Sequence, residues 1–243
     1  MKLYFVRHGD PDYSIDSLTE KGWREVEYLS ERMVKIPAVA YFCSPMGRAK
    51  DTARPTLEKL GRTAVECEWL REFSGQIHRP DRVEQESICW DWLPQDWTKD
   101  SRFFSHREWL QNETMAAGDV AREYHWVISG LDQLLAEYGY RREGALYRVE
   151  QGNNDALVFF CHFGVECVLL SHLLNVSPMV LWHGFVALPS SVTTVITEER
   201  RPGIASFRVN AFGDISHLYA KEEPPAFAAR FSECYGNEGE RLD

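Results

Sequence analysis

Residues 2–6 alternate into β-branched and aromatic side chains and run out at Arg7-His8-Gly9, the pattern of a strand followed by a turn. A helix is predicted next. Trp23, Val26, Leu29 and Met33 recur at helical spacing from Ser17 or Thr19 to about Ile36, Ser17-x-x-Glu20 reads as a capping box, and Pro37 ends the run. Residues 39–43 form a second apolar strand. Beyond it, Ser44 as N-cap, Pro45 at the first helical position and Gly61 as a stop predict a helix that Pro55 breaks or kinks, with Arg48 in its first turn. Residues 64–70 alternate as a third strand, and Glu72 lies just past its end. Helical spacing returns over 118–140 through Val120, Tyr124, Val127, Leu131, Leu134 and Leu135. Residues 156–161 are a solid apolar run suited to a strand buried on both faces, and 164–175 are apolar nearly all round, as in a buried helix. Late strands over 192–197, 204–209 and 215–219 are expected at a sheet edge.

Alternating strands and helices predict an α/β fold, a three-layer α/β/α sandwich around a mostly parallel central sheet. The expected organisation is one domain, 1–243, with a lid-like insertion at about 76–113. There the periodicity fails, and Trp90, Trp92, Trp97, Phe103, Phe104 and Trp109 crowd among charged residues. That aromatic load argues against disorder and leaves two readings: a lid over the ligand end of the sheet, or a small satellite core. Pro224-Pro225 opens a polar tail expected to pack loosely.

With 243 residues, 44% of them hydrophobic, the chain is long enough to bury a substantial core. A formal net charge of −10 lacks the basic footprint of a nucleic-acid groove or an anionic membrane surface, so neither partner is expected. No run approaches the roughly 20 apolar residues that span a bilayer. The first motif begins at residue 7, where a cleaved signal peptide would remove it, and the expected location is the cytoplasm. Six scattered cysteines, Cys43, Cys67, Cys89, Cys161, Cys167 and Cys234, read as free thiols. Cys161, His162, Cys167 and His172 match no usual ligand spacing, so neither metal nor cofactor is expected.

Four segments each follow a predicted strand: Arg7-His8-Gly9, Ser44-Pro45-Met46-Gly47-Arg48-Ala49, Arg71-Glu72 and Cys161-His162-Phe163-Gly164. In an open α/β sheet, ligands bind beyond the strand ends, so these residues converge on one crevice. Together with Leu18-Thr19-Glu20-Lys21-Gly22 and Thr52-Ala53, the ordered set resembles the histidine phosphatase superfamily, also called phosphoglycerate mutase-like. The resemblance implies that His8 is the phosphoryl acceptor, that Arg7, Arg48 and His162 hold the phosphate, and that Glu72 supplies the proton. Ser14 falls where phosphoglycerate mutases commonly place an asparagine that touches phosphate, and its hydroxyl could still donate one bond. Phe163 stands where the family often has glycine, and Asp10-Pro11 replaces the common Glu-Thr. Some members carry an acid directly after the second histidine; Phe163 occupies that position here and returns the role to Glu72.

The chemistry suits those residue types. A transferring phosphoryl group spreads negative charge over its equatorial oxygens, and planar, permanently charged guanidiniums match it. The nucleophilic histidine must be neutral on its attacking nitrogen, with the other nitrogen donating to a carbonyl or carboxylate. A carboxyl with a raised pKa can protonate the leaving alkoxide and then activate water. A solvated cluster with Glu66, Glu68 and Arg71 is the rival reading of Glu72. The expected function is therefore metal-independent hydrolysis of a small phosphorylated metabolite through phosphohistidine. Its alternatives are a mutase, for which the insertion offers Arg79, Arg82, Lys99, Arg102 and Arg107 among more numerous acids, and a silent phosphate-binding module.

Overall fold

Strand β1 (Lys2–Arg7) forms where the alternation predicts it and lies inside an eight-stranded sheet in the computed structural model. The structure describes residues 1–226 and, as backbone, Glu233–Cys234 and Asn237–Arg241; the Cys234 side chain lies outside the described residues. The remaining strands of the sheet are β2 (Ala40–Cys43), β3 (Val65–Glu66), β4 (Tyr140–Glu143), β5 (Leu146–Val149), β6 (Ala156–Cys161), β7 (Val192–Arg201) and β8 (Ile204–Asp214). Their order is β3-β2-β6-β1-β7-β8-β5-β4. The half from β3 to β1 is parallel, and every pairing beyond β1 is antiparallel.

Register in the parallel half aligns the strand ends. Arg7 pairs with Cys161, and Phe160 pairs with Cys43, so His8, His162 and Ser44 leave the sheet side by side. Alternating side chains feed two cores. Phe5, Phe42, Leu157 and Phe159 pack with helices α3 (Val120–Glu137) and α4 (Phe163–Leu174), while Val6, Tyr41, Val158 and Phe160 meet α1 (Glu20–Met33) and α2 (Gly47–Leu60). These are the three expected layers. Every residue from Phe163 to Leu173 is buried, which is why α4 carries apolar residues all round.

Several local expectations are corrected. Thr19 caps α1 by accepting from Gly22 N, whereas Ser17 pairs in the short ladder Pro11–Asp12 with Ser17–Leu18 and turns its hydroxyl to Asp51. Helix α2 begins at Gly47, after an N-cap residue, Met46, that makes no side-chain cap bond, and it runs through Pro55 to Leu60. Gly61 then ends it at φ +61°, as predicted. The third strand is only Val65–Glu66, because the chain tightens into a 3₁₀ turn over Glu68–Leu70. Residues Ser216–Tyr219 form a helical turn and no strand. The late strands are internal: β7 pairs directly with β1, and the unpredicted hairpin β4–β5 forms the edge instead.

The insertion is largely core. Its hairpin Gln76–His78 with Glu86–Ile88 is followed by short helical turns that bury Trp92, Trp97, Phe103 and Trp109 in the same cluster as Phe5 and Phe159. Trp109 packs edge-on against Tyr124 and against Trp182 of α5 (Pro178–Gly184), with centroids 5.2 and 5.8 Å away. The start of the tail is anchored, contrary to the expectation of loose packing: Lys21 Nζ donates to Glu223 Oε1 and to the Pro224 carbonyl, each at 2.6 Å, and Ala226 is buried. No helix among the described residues is long and apolar enough to cross a membrane.

Candidate active site

His8 sits at the turn after β1, fixed by its backbone. Its N–H donates to the Cys161 carbonyl at 3.1 Å, and its own carbonyl accepts from Ser190 N at 2.9 Å. The imidazole Nδ1 lies 2.8 Å from the Gly9 carbonyl, which can only accept. Nδ1 therefore carries the proton and Nε2 keeps its lone pair. Burial, with the Arg7 and Arg48 guanidiniums close by, pushes the His8 pKa well below the ordinary histidine value, so the ring is neutral near pH 7.

His162 is fully buried at the N-cap of α4, its ring centroid 5.2 Å from that of His8. Its pKa is depressed by burial first, then by His8, Arg48 and Arg7. Its Nε2 is hydrogen-bonded to Ser44 Oγ at 2.8 Å, and its Nδ1 is buried with no hydrogen-bond partner. Ser44 thus serves the second histidine while its Oγ also accepts from Met46 N at 3.3 Å, a capping-type bond just ahead of the helix start at Gly47.

Both arginines are buried. Arg7 donates through Nη1 to the Ala187 carbonyl and lies 5.7 Å from the Phe163 ring centroid, so the phenyl at 163 floors the cradle where the family often has glycine. Arg48, in the first turn of α2, donates through Nη1 to Asp16 Oδ1 at 2.6 Å and through Nη2 to the Met46 sulfur at 3.5 Å, while Nε has no hydrogen-bond partner. Asp16 also accepts from Gly47 N at 2.7 Å. A Cβ at Gly47 would come within 2.1 Å of the Asp16 carbonyl, so that close approach requires glycine. These contacts hold the Asp16 carboxyl below its usual range.

Glu72 does not join the solvated cluster. Its Oε1 accepts from Phe73 N at 2.9 Å and from Val165 N at 3.0 Å, so the carboxylate caps the first turn of α4. A Cβ on Gly164 would lie 2.7 Å from that oxygen and 3.0 Å from Trp90 Nε1, which explains the glycine. Burial pushes the Glu72 pKa up against the pull of these amides and of Arg7, and the net direction is upward. Glu66 instead pairs with Lys50 at the surface, and Glu68 and Arg71 are exposed.

Of the sequence-derived residues, Arg7, His8, Arg48 and His162 converge, and Glu72 joins them through Arg7. Ser14 does not: it is exposed, and its hydroxyl donates to Asp12 Oδ1 at 2.5 Å. Cys161 and Cys167 are buried and hold their protons, and His172 pairs with Asp132 at 2.8 Å. Three further residues escape sequence reasoning. Asp16 is found only through its contact with Arg48, and Tyr13 through a ring 5.4 Å from the Arg48 guanidinium carbon. Glu166, a lone carboxyl in the apolar α4 pattern, is the one with a sequence signal. It lies within electrostatic reach of Arg7 and Glu72, and burial pushes its pKa up to about 7.

The sequence profile of the histidine phosphatase superfamily (branch 1) matches residues 3–210. This chain belongs to that superfamily. It is of the histidine phosphatase type, as the motif order implied. The chain is 23% identical over 238 residues to a probable phosphatase of Schizosaccharomyces pombe, covering 91% of this chain and 97% of that protein. Among solved structures it is similar to a phosphoserine phosphatase of Entamoeba histolytica (TM-score 0.58, 17% identity, covering 89% of this chain and 98% of that one). It is also similar to a mycobacterial glucosyl-3-phosphoglycerate phosphatase (TM-score 0.56, 17% identity, 87% and 98% covered). At these identities the structural likenesses establish the fold, an α/β histidine phosphatase architecture.

Proposed function

We propose that the chain, as one domain over 1–243, hydrolyses a small phosphomonoester through a phosphohistidine on His8, without a metal. The observation that carries this reading is the Nδ1 bond of a buried, neutral His8 to the Gly9 carbonyl, which leaves Nε2 nucleophilic beside two guanidiniums. Nε2 attacks phosphorus, and the bond to the leaving alcohol's oxygen breaks as the N–P bond forms. Arg7 and Arg48 neutralise the charge spread over the equatorial oxygens. With the Ser44 hydroxyl donating to His162 Nε2, the Nδ1–H of His162 becomes a third donor. Glu72, protonated through its raised pKa, gives its proton to the departing alkoxide; its carboxylate then takes one from the water that cleaves the N–P bond and frees phosphate.

Hydrolysis is favoured over mutase chemistry by the insertion. A mutase must hold a second anionic group, yet of the five insertion cations Arg79 is bound to Asp81 and Asp91, Arg102 to Asp100 and Glu113, and Lys99 to Asp96, leaving the exposed Arg82 and Arg107. The substrate is a small phosphorylated metabolite, and no nucleic-acid or membrane partner enters the reading. A cytoplasmic location is supported by the free thiols of Cys43, Cys67, Cys89, Cys161 and Cys167. The test is rapid quenching with labelled substrate: acid-labile label is expected on wild type and not on His8→Ala. Equal label on both would overturn the assignment, and a wild type inactive on every phosphomonoester tried would favour the binding module.

A further inference from the structure

The loop between β1 and α1 is built to hold one aromatic side chain over the phosphate cradle. Pro11–Asp12 pairs with Ser17–Leu18 at its base, Asp12 Oδ1 accepts from Ser14 N at 3.0 Å inside it, and Asp16 clamps its far side to Gly47 and Arg48. Tyr13 stands at the tip of this braced loop. Its side chain is open to solvent at 65% exposure, yet its ring centroid is 5.4 Å from the Arg48 guanidinium carbon, and its phenol lies within electrostatic reach of Arg7. One aromatic side chain therefore stands over the Arg48 guanidinium with its phenol in electrostatic range of Arg7. The hydroxyl at position 14, by contrast, is spent on Asp12.

Resting on the phosphatase reading above, we propose that Tyr13 is a substrate-contacting residue that sets substrate class. Its hydroxyl donates to a phosphoryl oxygen held by Arg7 and Arg48, and its open ring face receives the substrate's alcohol part. That part carries an aromatic or apolar face and no second anionic group. Two observations fix the chemistry of the alcohol. Ile15, 69% exposed, adds apolar surface to the same loop tip. The cradle presents two buried guanidiniums, Arg7 and Arg48, enough for one phosphoryl group. A phenol is suited to both tasks, since it donates at its rim and offers a polarisable face.

The test uses the full chain and two readouts. Binding of inorganic phosphate is measured by calorimetry for wild type, Tyr13→Phe and Tyr13→Ala. Then kcat/KM is compared for 2-phenylethyl phosphate and ethyl phosphate, whose alcohols have similar basicity. Tyr13→Phe is expected to weaken phosphate binding by roughly tenfold, the scale of one hydrogen bond to a charged group, while keeping the preference for the phenylethyl ester. Tyr13→Ala is expected to lose that preference, which in wild type should be on the order of tenfold from ring contact. Unchanged phosphate affinity in Tyr13→Phe would overturn the hydroxyl contact. The absence of a wild-type preference, or its survival in Tyr13→Ala, would overturn the ring contact. A wild type that binds phosphate more tightly than Tyr13→Phe but hydrolyses neither ester would sink the phosphatase reading and sustain the hydroxyl contact.

Discussion

Two buried arginines in this molecule have opposite surroundings. Arg79, in the insertion, is 2% exposed and donates to Asp81 through Nε and Nη2 and to Asp91 through Nη1, with contacts between 2.5 and 3.2 Å. Arg48, in the cradle, is 7% exposed, shares Nη1 with one half-exposed carboxylate, rests Nη2 on a thioether and keeps Nε unpartnered. A buried guanidinium whose donors are all matched is a structural fastener. One whose donors are left over in a desolvated pocket is poised for an anion, because each unmatched donor costs free energy until something accepts from it. The same contrast separates the carboxylates: Asp81 and Asp100 neutralise local arginines, while Glu72 spends one oxygen on the backbone amides of Phe73 and Val165 and stays protonatable.

The comparison breaks hardest at His8. His8→Ala should lower turnover of any phosphomonoester by at least ~10,000-fold, on the scale of nucleophile removal in covalent catalysis, and abolish acid-labile label. Residual turnover near wild type would mean that the cradle serves another nucleophile.

Glu72→Gln sharpens the contrast between carboxylates. Alkyl phosphates should slow by roughly 100- to 10,000-fold, while p-nitrophenyl phosphate, whose leaving group needs no proton, should lose much less in the phosphoryl-transfer step. Single-turnover kinetics separate that step from dephosphorylation. The sign with pH follows from the raised pKa: the acid is active when protonated, so alkyl-ester transfer in wild type falls as pH rises through that pKa. The Gln variant should lack this limb. Equal losses for both esters would remove Glu72 from the acid role.

Exchanging the two arginines' fates is the third test. Arg48→Ala should depress kcat/KM by about 100-fold or more with the fold intact, whereas Arg79→Ala should cost about 2 kcal/mol of stability and leave turnover at permissive temperature near wild type. Thermal unfolding and initial rates on both variants decide it. Loss of activity without loss of stability in Arg79→Ala would move the insertion into the cradle.

The last test concerns Glu166. Its folded pKa, about 7, lies above the unfolded value, so the folded state binds the extra proton between roughly pH 4.5 and 7. Stability is greatest below that window and declines as pH rises through it, by up to about 3 kcal/mol for this group. Glu166→Gln should flatten that part of the stability profile measured by urea unfolding. An unchanged slope would mean that the carboxyl is ionised by its neighbours.

Sequence periodicity alone determined the α/β alternation, the strands before His8 and His162, and the stop at Gly61, because strand and helix spacing and a left-handed cap are local properties. The ordered motifs singled out Arg7, His8, Arg48 and His162, since strand ends in a parallel sheet share one rim whatever the connections between them, and also Glu72, which lies past a 3₁₀ turn and not at a strand end. Tertiary structure decided the rest. Ser17 and Thr19 are equally good caps by type, and only the ladder from Pro11 to Leu18 assigns the cap to Thr19. Ser14 and Tyr13 are adjacent, and the loop's own Asp12 takes the serine hydroxyl while the tyrosine ring meets Arg48. The insertion's tryptophans could have covered either a ligand or the core: Trp92, Trp97 and Trp109 pack in the core, while Trp90 stands against Gly164 beside Glu72. Each of these outcomes depends on pairings between residues distant in sequence or on competition between neighbouring side chains for one partner, quantities that composition and spacing do not contain.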